Sequence, residues 1–192
     1  GEFFGPLPVG AWVVLLAVSG LTFGYNLGGA RALTEHATCV AGPAKQMLTD
    51  GDFLLPRIGE HLWVEKPPLP YWLSGATCWL FGEFSEWTVR LPSALAGIGV
   101  VLIVAGLNAR WFGPAVGLLA GLAQSTCVYM VSYARLAEAD MVLALVVVAA
   151  IGVFDRFRSA VDEGHSTASR RWRAAFWGLI AISGLAKGLL FG

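Results

Sequence analysis

Apolar residues run along this chain in long unbroken blocks, and the charges gather at the block ends. Residues 91–109 and 111–134 carry no charge and flank a lone Arg110. The run 141–154 is shorter but dense in Val, Leu and Ala, and another apolar run opens at 174. Near the start, everything between Glu2 and Arg31 is uncharged. A helix needs about 20 apolar residues to cross a bilayer. Five spans are therefore expected, at 8–27, 91–109, 112–133, 140–155 and 173–192, with a tight turn at Arg110-Trp111-Phe112-Gly113-Pro114. The first stretch has the apolarity of a cleaved signal peptide. It lacks a basic start and a clear cleavage site, so a first span is preferred.

The segment 67–82 is also uncharged, but it has 16 residues and three prolines among its first four. A piece this short lies on a membrane or re-enters it as readily as it spans. Trp72, Trp79 and Trp87 suit headgroup depth. Orientation favours the non-spanning reading. The loop 155–173 carries Arg156, Arg158, Arg170, Arg171 and Arg173, which marks it as cytoplasmic. Counting spans backward puts Arg110 inside and both 135–140 and the polar segment 31–90 outside, the latter with juxtamembrane helices. If 67–82 spanned instead, residues 31–66 would be inside.

Composition sharpens this. Of 192 residues, 56% are hydrophobic and 14% charged, and the formal net charge is zero. Soluble domains hold roughly 25% charged residues. The balance excludes a disordered chain and a basic nucleic-acid binder. The fold class expected is an all-α integral membrane protein, a polytopic helix bundle. Cys39, Cys78 and Cys127 share no short spacing, which suggests neither a disulfide framework nor a cysteine metal site. The chain lacks an initiator Met and stops inside an apolar run, so it reads as the N-terminal part of a longer protein.

The candidate chemistry lies in the outer segment and its neighbours. Thr34 is a fitting N-cap, with Glu35 in the first turn of a helix and Pro43 marking a kink or a late start. Glu35 is then a helix-start acid or a base. Glu65-Lys66-Pro67-Pro68-Leu69-Pro70-Tyr71-Trp72 is stiff and extended, and holds Lys66 where lipid phosphates lie. Such a lysine is an interfacial anchor or a phosphate ligand. Asp140 opens a very apolar helix, as its N-cap or as an acid facing a cavity. Lys187 follows Arg173 by 14 residues, about 21 Å along a helix, toward the outer half of a bilayer. It is an intramembrane functional lysine or it snorkels outward. His61 and His165 are unremarkable, and no Gly-rich phosphate loop, His-Glu-x-x-His or Gly-x-Ser-x-Gly pattern occurs.

Three strings in order resemble a known family: Gln46-Met47-Leu48-Thr49-Asp50-Gly51-Asp52-Phe53-Leu54-Leu55-Pro56, then Glu65 to Leu73, then Arg90-Leu91-Pro92-Ser93-Ala94-Leu95. With Asp140-Met141 and Gly184-Leu185-Ala186-Lys187-Gly188, they are similar to the aminoarabinose transferase and protein mannosyltransferase-like glycosyltransferases of GT-C fold. The resemblance covers about Thr34 to Gly192. It implies an enzyme of the bacterial inner membrane, multi-pass, with its active site facing the periplasm. Such an enzyme moves a sugar from a polyprenyl-phosphate donor to a lipid, glycan or protein acceptor. It also implies roles: Glu35 or His36 and Asp140 as catalytic groups, Lys66 near the donor phosphate with Arg57 and Lys187 assisting, and Glu65 and Tyr71 supporting. The family pattern has an Asp-Glu pair then Arg-Tyr in the first loop, where this chain has Glu35-His36-Ala37. Spacing back from Ala44 aligns His36 with the family Asp. No cofactor is required by the sequence; a divalent cation is compatible, with no ligand set evident. The rival class is a polytopic transporter or an inactive structural relative. A transporter tends to show inverted repeats, and no internal repeat is seen.

Overall fold

The computed structural model describes residues 4–29 and 33–188, with the His36 side chain outside the described residues. Residues 189–192 of the expected last span also lie outside them. Among the described residues the elements are α1 Val9–Gly24, α2 Glu35–Asp50, β1 Arg57–Ile58, β2 His61–Leu62, α3 Leu69–Phe81, α4 Glu86–Phe112, α5 Pro114–Thr126, α6 Val128–Ala134, α7 Ala139–Asp162 and α8 Ser166–Lys187. The fold is a helical bundle, with one addition to the all-α expectation. β1 and β2 form a two-stranded antiparallel hairpin, Arg57 opposite Leu62.

α4 is the central element and is longer than the 91–109 block that predicts it. Ser85 and Thr88 close a reciprocal capping box at its start. Pro92 sits in the second turn and has no N–H to offer the carbonyl of Thr88. The Thr77 hydroxyl of α3 donates to that carbonyl instead, at 2.7 Å. The Ser74 hydroxyl donates to the Val89 carbonyl at 3.1 Å. The proline thus frees a backbone acceptor that stitches α3 to the first turns of α4.

α5 crosses α4 through small residues. A Cβ on Gly117 would lie 2.5 Å from the Ala109 Cβ and 2.6 Å from the Ala105 carbonyl oxygen. A Cβ on Gly121 would lie 2.6 Å from a Leu15 methyl and 2.9 Å from the Ala105 Cβ. Small residues four apart let two backbones approach closely, as in membrane helix pairs. Leu15, Phe23, Val100, Val101 and Ala105 form the dry centre of the bundle.

Two sequence expectations change. The block 112–133 is not one straight helix, since α5 and α6 meet at a 60° bend. Ser125 and Thr126 both turn their hydroxyls back to the Leu122 carbonyl, at 2.9 Å each. Such back-bonding weakens and bends helices, and Cys127 is extended, with φ −61 and ψ 128. Pro43 neither kinks α2 apart nor delays it. Thr34 caps the helix by accepting from the Ala37 N–H at 3.2 Å, and buried Ala37, Val40, Ala41, Ala44 and Met47 hold it along its length. By length and composition α4 is long and apolar enough to cross a membrane, and the bent α5–α6 pair passes if taken as one span.

The bundle has two unlike ends. At one, the Gly5 N–H meets the Gly106 carbonyl at 3.1 Å. There too Arg110 pairs with Asp155 at 3.0 Å and donates to the Ser159 hydroxyl at 3.1 Å. At the other, Arg90 donates to the Leu27 carbonyl at 2.8 Å and Arg135 to the Tyr25 carbonyl at 3.0 Å. α1 and α4 are therefore antiparallel. Since Leu27 and Arg90 meet, the intervening segment departs from and returns to the same end. α3 begins beside Gly188, where Pro67 Cγ is 3.7 Å from an ideal Cβ on the glycine. It finishes against the start of α4, so it does not traverse the bundle.

Candidate functional site

The loop-bearing end holds a cleft of about 340 Å³. The proline-stiffened Glu65-Lys66-Pro67-Pro68 segment forms one wall, Leu54, Leu55, Pro56 and Val64 a second, and Lys187 with Gly188 a third. Proline fixes the backbone of the first wall. Buried Tyr71 supports it from below, its phenol donating to the Lys66 carbonyl at 3.4 Å. Val40, Ala44 and Met47 of α2 surround the Tyr71 ring. Burial pushes that phenol up to about 12. α8 stops at the cleft because Gly188 takes a left-handed φ of 77°, which favours glycine.

Lys187 Nζ contacts Asp140 Oδ1 at 2.5 Å, joining the last residue of α8 to the first turn of α7. An acid near a helix N-terminus and a cation at a C-terminus each complement the helix dipole. The N-cap of α7 is Glu138, so Asp140 is not the cap that its position in the sequence allows. Glu138 and Tyr133 are the pair's further electrostatic neighbours. Lys66 is half-buried and has no ion-pair partner among the described residues. The cleft thus offers one uncommitted ammonium, one ammonium held by a carboxylate, and apolar walls.

The remaining expected residues fall elsewhere. Glu65 lines the cleft and is exposed. Arg57 does not line it; β1 lies against α2 and the Arg57 side chain is half-buried. Glu35 is exposed at the start of α2, outside the cleft. The same turn packs through Ala37 with Ala137, three residues before Asp140. The catalytic role open for His36 rests on a side chain outside the described residues. Among the described residues no three His, Cys, Asp or Glu side chains cluster to hold a metal ion. Sequence reading did not single out Leu54, Leu55, Val64 or Gly188. The glycine directly after Lys187 is the one of these with a readable signal, since Gly commonly ends a helix.

This helical fold, with a lysine-and-carboxylate cleft at its loop-bearing end, is of the GT-C type. The chain belongs to the dolichyl-phosphate-mannose-protein mannosyltransferase family, which matches residues 65–185. It is similar to the undecaprenyl phosphate-alpha-4-amino-4-deoxy-L-arabinose arabinosyl transferase 2 of Sodalis glossinidius, with 32% identity over 77% of this chain and 25% of that protein. The corresponding transferase of Edwardsiella ictaluri is 27% identical over 95% of this chain and 31% of its own length. Among solved structures, ArnT from Cupriavidus metallidurans superposes with a TM-score of 0.84 and 26% identity. The match covers 94% of this chain and 33% of that structure in the apo state. The form bound to undecaprenyl phosphate gives the same TM-score over 95% and 34%. The chain therefore spans between a quarter and a third of the length of these relatives.

Proposed function

We propose that this chain carries part of the active site of a bacterial inner-membrane glycosyltransferase, multi-pass and acting on the periplasmic side. It takes a sugar from a polyprenyl-phosphate carrier and gives it to a lipid, glycan or protein hydroxyl. The observation behind this reading is the meeting of Lys66, Lys187 and Asp140 at one apolar-walled cleft. An unpaired ammonium next to exposed aliphatic side chains matches a ligand that is a phosphate at one end and a hydrocarbon at the other. The relative bound to undecaprenyl phosphate fits that chemistry.

In the reaction the bond between the sugar's anomeric carbon and the carrier phosphate oxygen breaks. The electron pair stays on the phosphate, where Lys66 stabilises the added charge. The acceptor hydroxyl attacks the opposite face of the anomeric carbon, inverting it, and its proton passes to Glu35 or His36. Both stand on the α2 turn that packs toward Ala137 and the Asp140 loop. The contact with Lys187 orients the Asp140 carboxylate, so Asp140 positions the acceptor rather than taking the proton. Arg57 does not line the cleft, and any help it gives the phosphate comes from outside these walls.

The test uses membranes holding the complete protein and labelled sugar on undecaprenyl phosphate. Transfer by wild type that falls at least a hundredfold in Lys66→Ala and in Asp140→Asn is the expected result. Full transfer by both variants overturns the assignment of this cleft, and no transfer by wild type from any polyprenyl donor overturns the activity.

A further inference from the structure

The far end of the bundle carries a second feature. α7 and α8 run antiparallel, and between them lies an apolar furrow of about 330 Å³. Val146, Val147 and Ile151 of α7 and Leu179 and Ile180 of α8 line it, and Phe154 and Phe176 close its end. Those two rings are 5.6 Å apart. From Val146 to Phe154 the furrow runs about 12 Å at 1.5 Å per residue. Its one polar lining group, the Ser183 hydroxyl, is already bonded to the Ile180 carbonyl at 2.7 Å. Nothing in the furrow asks for water.

Arginines stand over the closed end. Arg158 is four residues after Phe154, and Arg173 is three residues before Phe176, so each lies on the furrow side of its own helix. Both are exposed, and neither has an ion-pair partner among the described residues. Of the acids nearest in sequence, Asp155 pairs with Arg110 and Glu163 with His165, and Asp162, one turn after Arg158, is exposed and forms no ion pair with it. Arg156 faces the Trp172 ring at 5.9 Å. Arg170 and Arg171 add exposed cations to the same end. The opposite end differs in sign, with six acidic against three basic residues in 33–85.

We propose that the α7–α8 furrow holds one acyl chain of an anionic phospholipid whose phosphate sits between Arg158 and Arg173. A dry groove leading to two guanidinium groups that form no ion pair among the described residues is complementary to that ligand, because guanidinium forks match phosphate oxygens. A helix of protein laid in the furrow would match the apolar wall but would need an acid at its end to match Arg158 and Arg173. This inference concerns lipid and does not depend on sugar transfer.

The experiment equilibrates the complete protein in bilayers of equal phosphatidylglycerol and phosphatidylcholine, then counts retained lipids by native mass spectrometry. Wild type is expected to retain phosphatidylglycerol in preference, roughly fivefold for each engaged arginine, following the attraction of a basic residue to an anionic surface. Arg158→Gln with Arg173→Gln should bring the preference close to one, and the Arg→Lys pair should restore part of it. Val147→Trp, which fills the furrow from a partly exposed position, should lower retained lipid of both kinds while helical content stays unchanged. Equal retention of the two lipids by wild type overturns the proposal. A preference unchanged by the arginine pair overturns it as well. Retention unchanged by Val147→Trp also overturns it, since the furrow then holds no chain.

Discussion

Lys187 Nζ and Asp140 Oδ1 meet at 2.5 Å although 47 residues separate them. The contact joins α7 and α8 at the end away from the loop between them, and it fixes the edge of the cleft. Each side chain is more than a third exposed, so its energetic value is modest. A double-mutant cycle with Asp140→Asn and Lys187→Gln should give a coupling of about 1 kcal/mol, smaller at high salt. Thermal unfolding of the four proteins at two ionic strengths measures it. Transferase activity should fall much further than stability in Asp140→Asn, because the carboxylate is proposed to position substrate.

Arg90 is 4% exposed and does two jobs at once. It donates to the Leu27 carbonyl at 2.8 Å and pairs with Glu86 at 3.3 Å. Arg90→Met leaves the Leu27 carbonyl without its donor at a buried site, and frees Glu86, whose side chain is 37% exposed. A loss of about 2 kcal/mol is expected, most of it from the buried carbonyl, read as a lower unfolding midpoint. Proteolysis should speed up at the α1 C-terminus, which the guanidinium ties to α4.

Gly117 has no room for a side chain. Even Gly117→Ala places a methyl 2.6 Å from the Ala105 carbonyl oxygen, and backbone cannot rotate away as a side chain can. Overpacking of this kind costs about 1–3 kcal/mol. Gly10 faces open space within 4 Å, and Gly10→Ala should be neutral or slightly stabilising, since Ala exceeds Gly in helix propensity. Comparing the two unfolding midpoints separates close approach from propensity.

Tyr71 gives a pH signature. Its phenol is raised to about 12 by burial, against about 10 when unfolded. Its contribution is therefore fully present below pH 10 and is lost as pH climbs from 10 through 12. Two units correspond to a loss on the order of 2 kcal/mol across that window. Tyr71→Phe should flatten the decline in unfolding midpoint between pH 9.5 and 11.5. Below pH 9 the same variant should lose little stability and show weaker carrier binding, since the Lys66 carbonyl loses its donor.

Much of the site's chemistry was legible because it is local. The Lys66-Pro67-Pro68 string states its own stiffness, since proline removes backbone freedom whatever packs around it. Thr34 followed by Glu35 states its own cap. Long uncharged blocks state that helices will be apolar. The bend at Cys127 was half legible, because Ser125 and Thr126 in succession can turn back on the helix, yet only neighbouring packing selects that outcome. Arg57 and Lys66 are nine residues apart and equally basic. Nothing local tells which of them reaches the cleft.

By itself, then, the sequence determined the helical apolar bundle, the clustering of polar chemistry in 31–90, and the candidacy of Lys66, Asp140 and Lys187. The tertiary structure alone decided that Asp140 and Lys187 bind each other, that Arg57 lies off the cleft on the β1 strand against α2, and that α3 does not traverse the bundle. Helix formation depends on contacts four residues apart, which a sequence displays. Ion pairs such as Lys187 with Asp140, and carbonyl contacts such as Arg90 with Leu27, join groups 47 and 63 residues apart. Their partners are set by which helix faces meet, and that depends on the summed packing of every block.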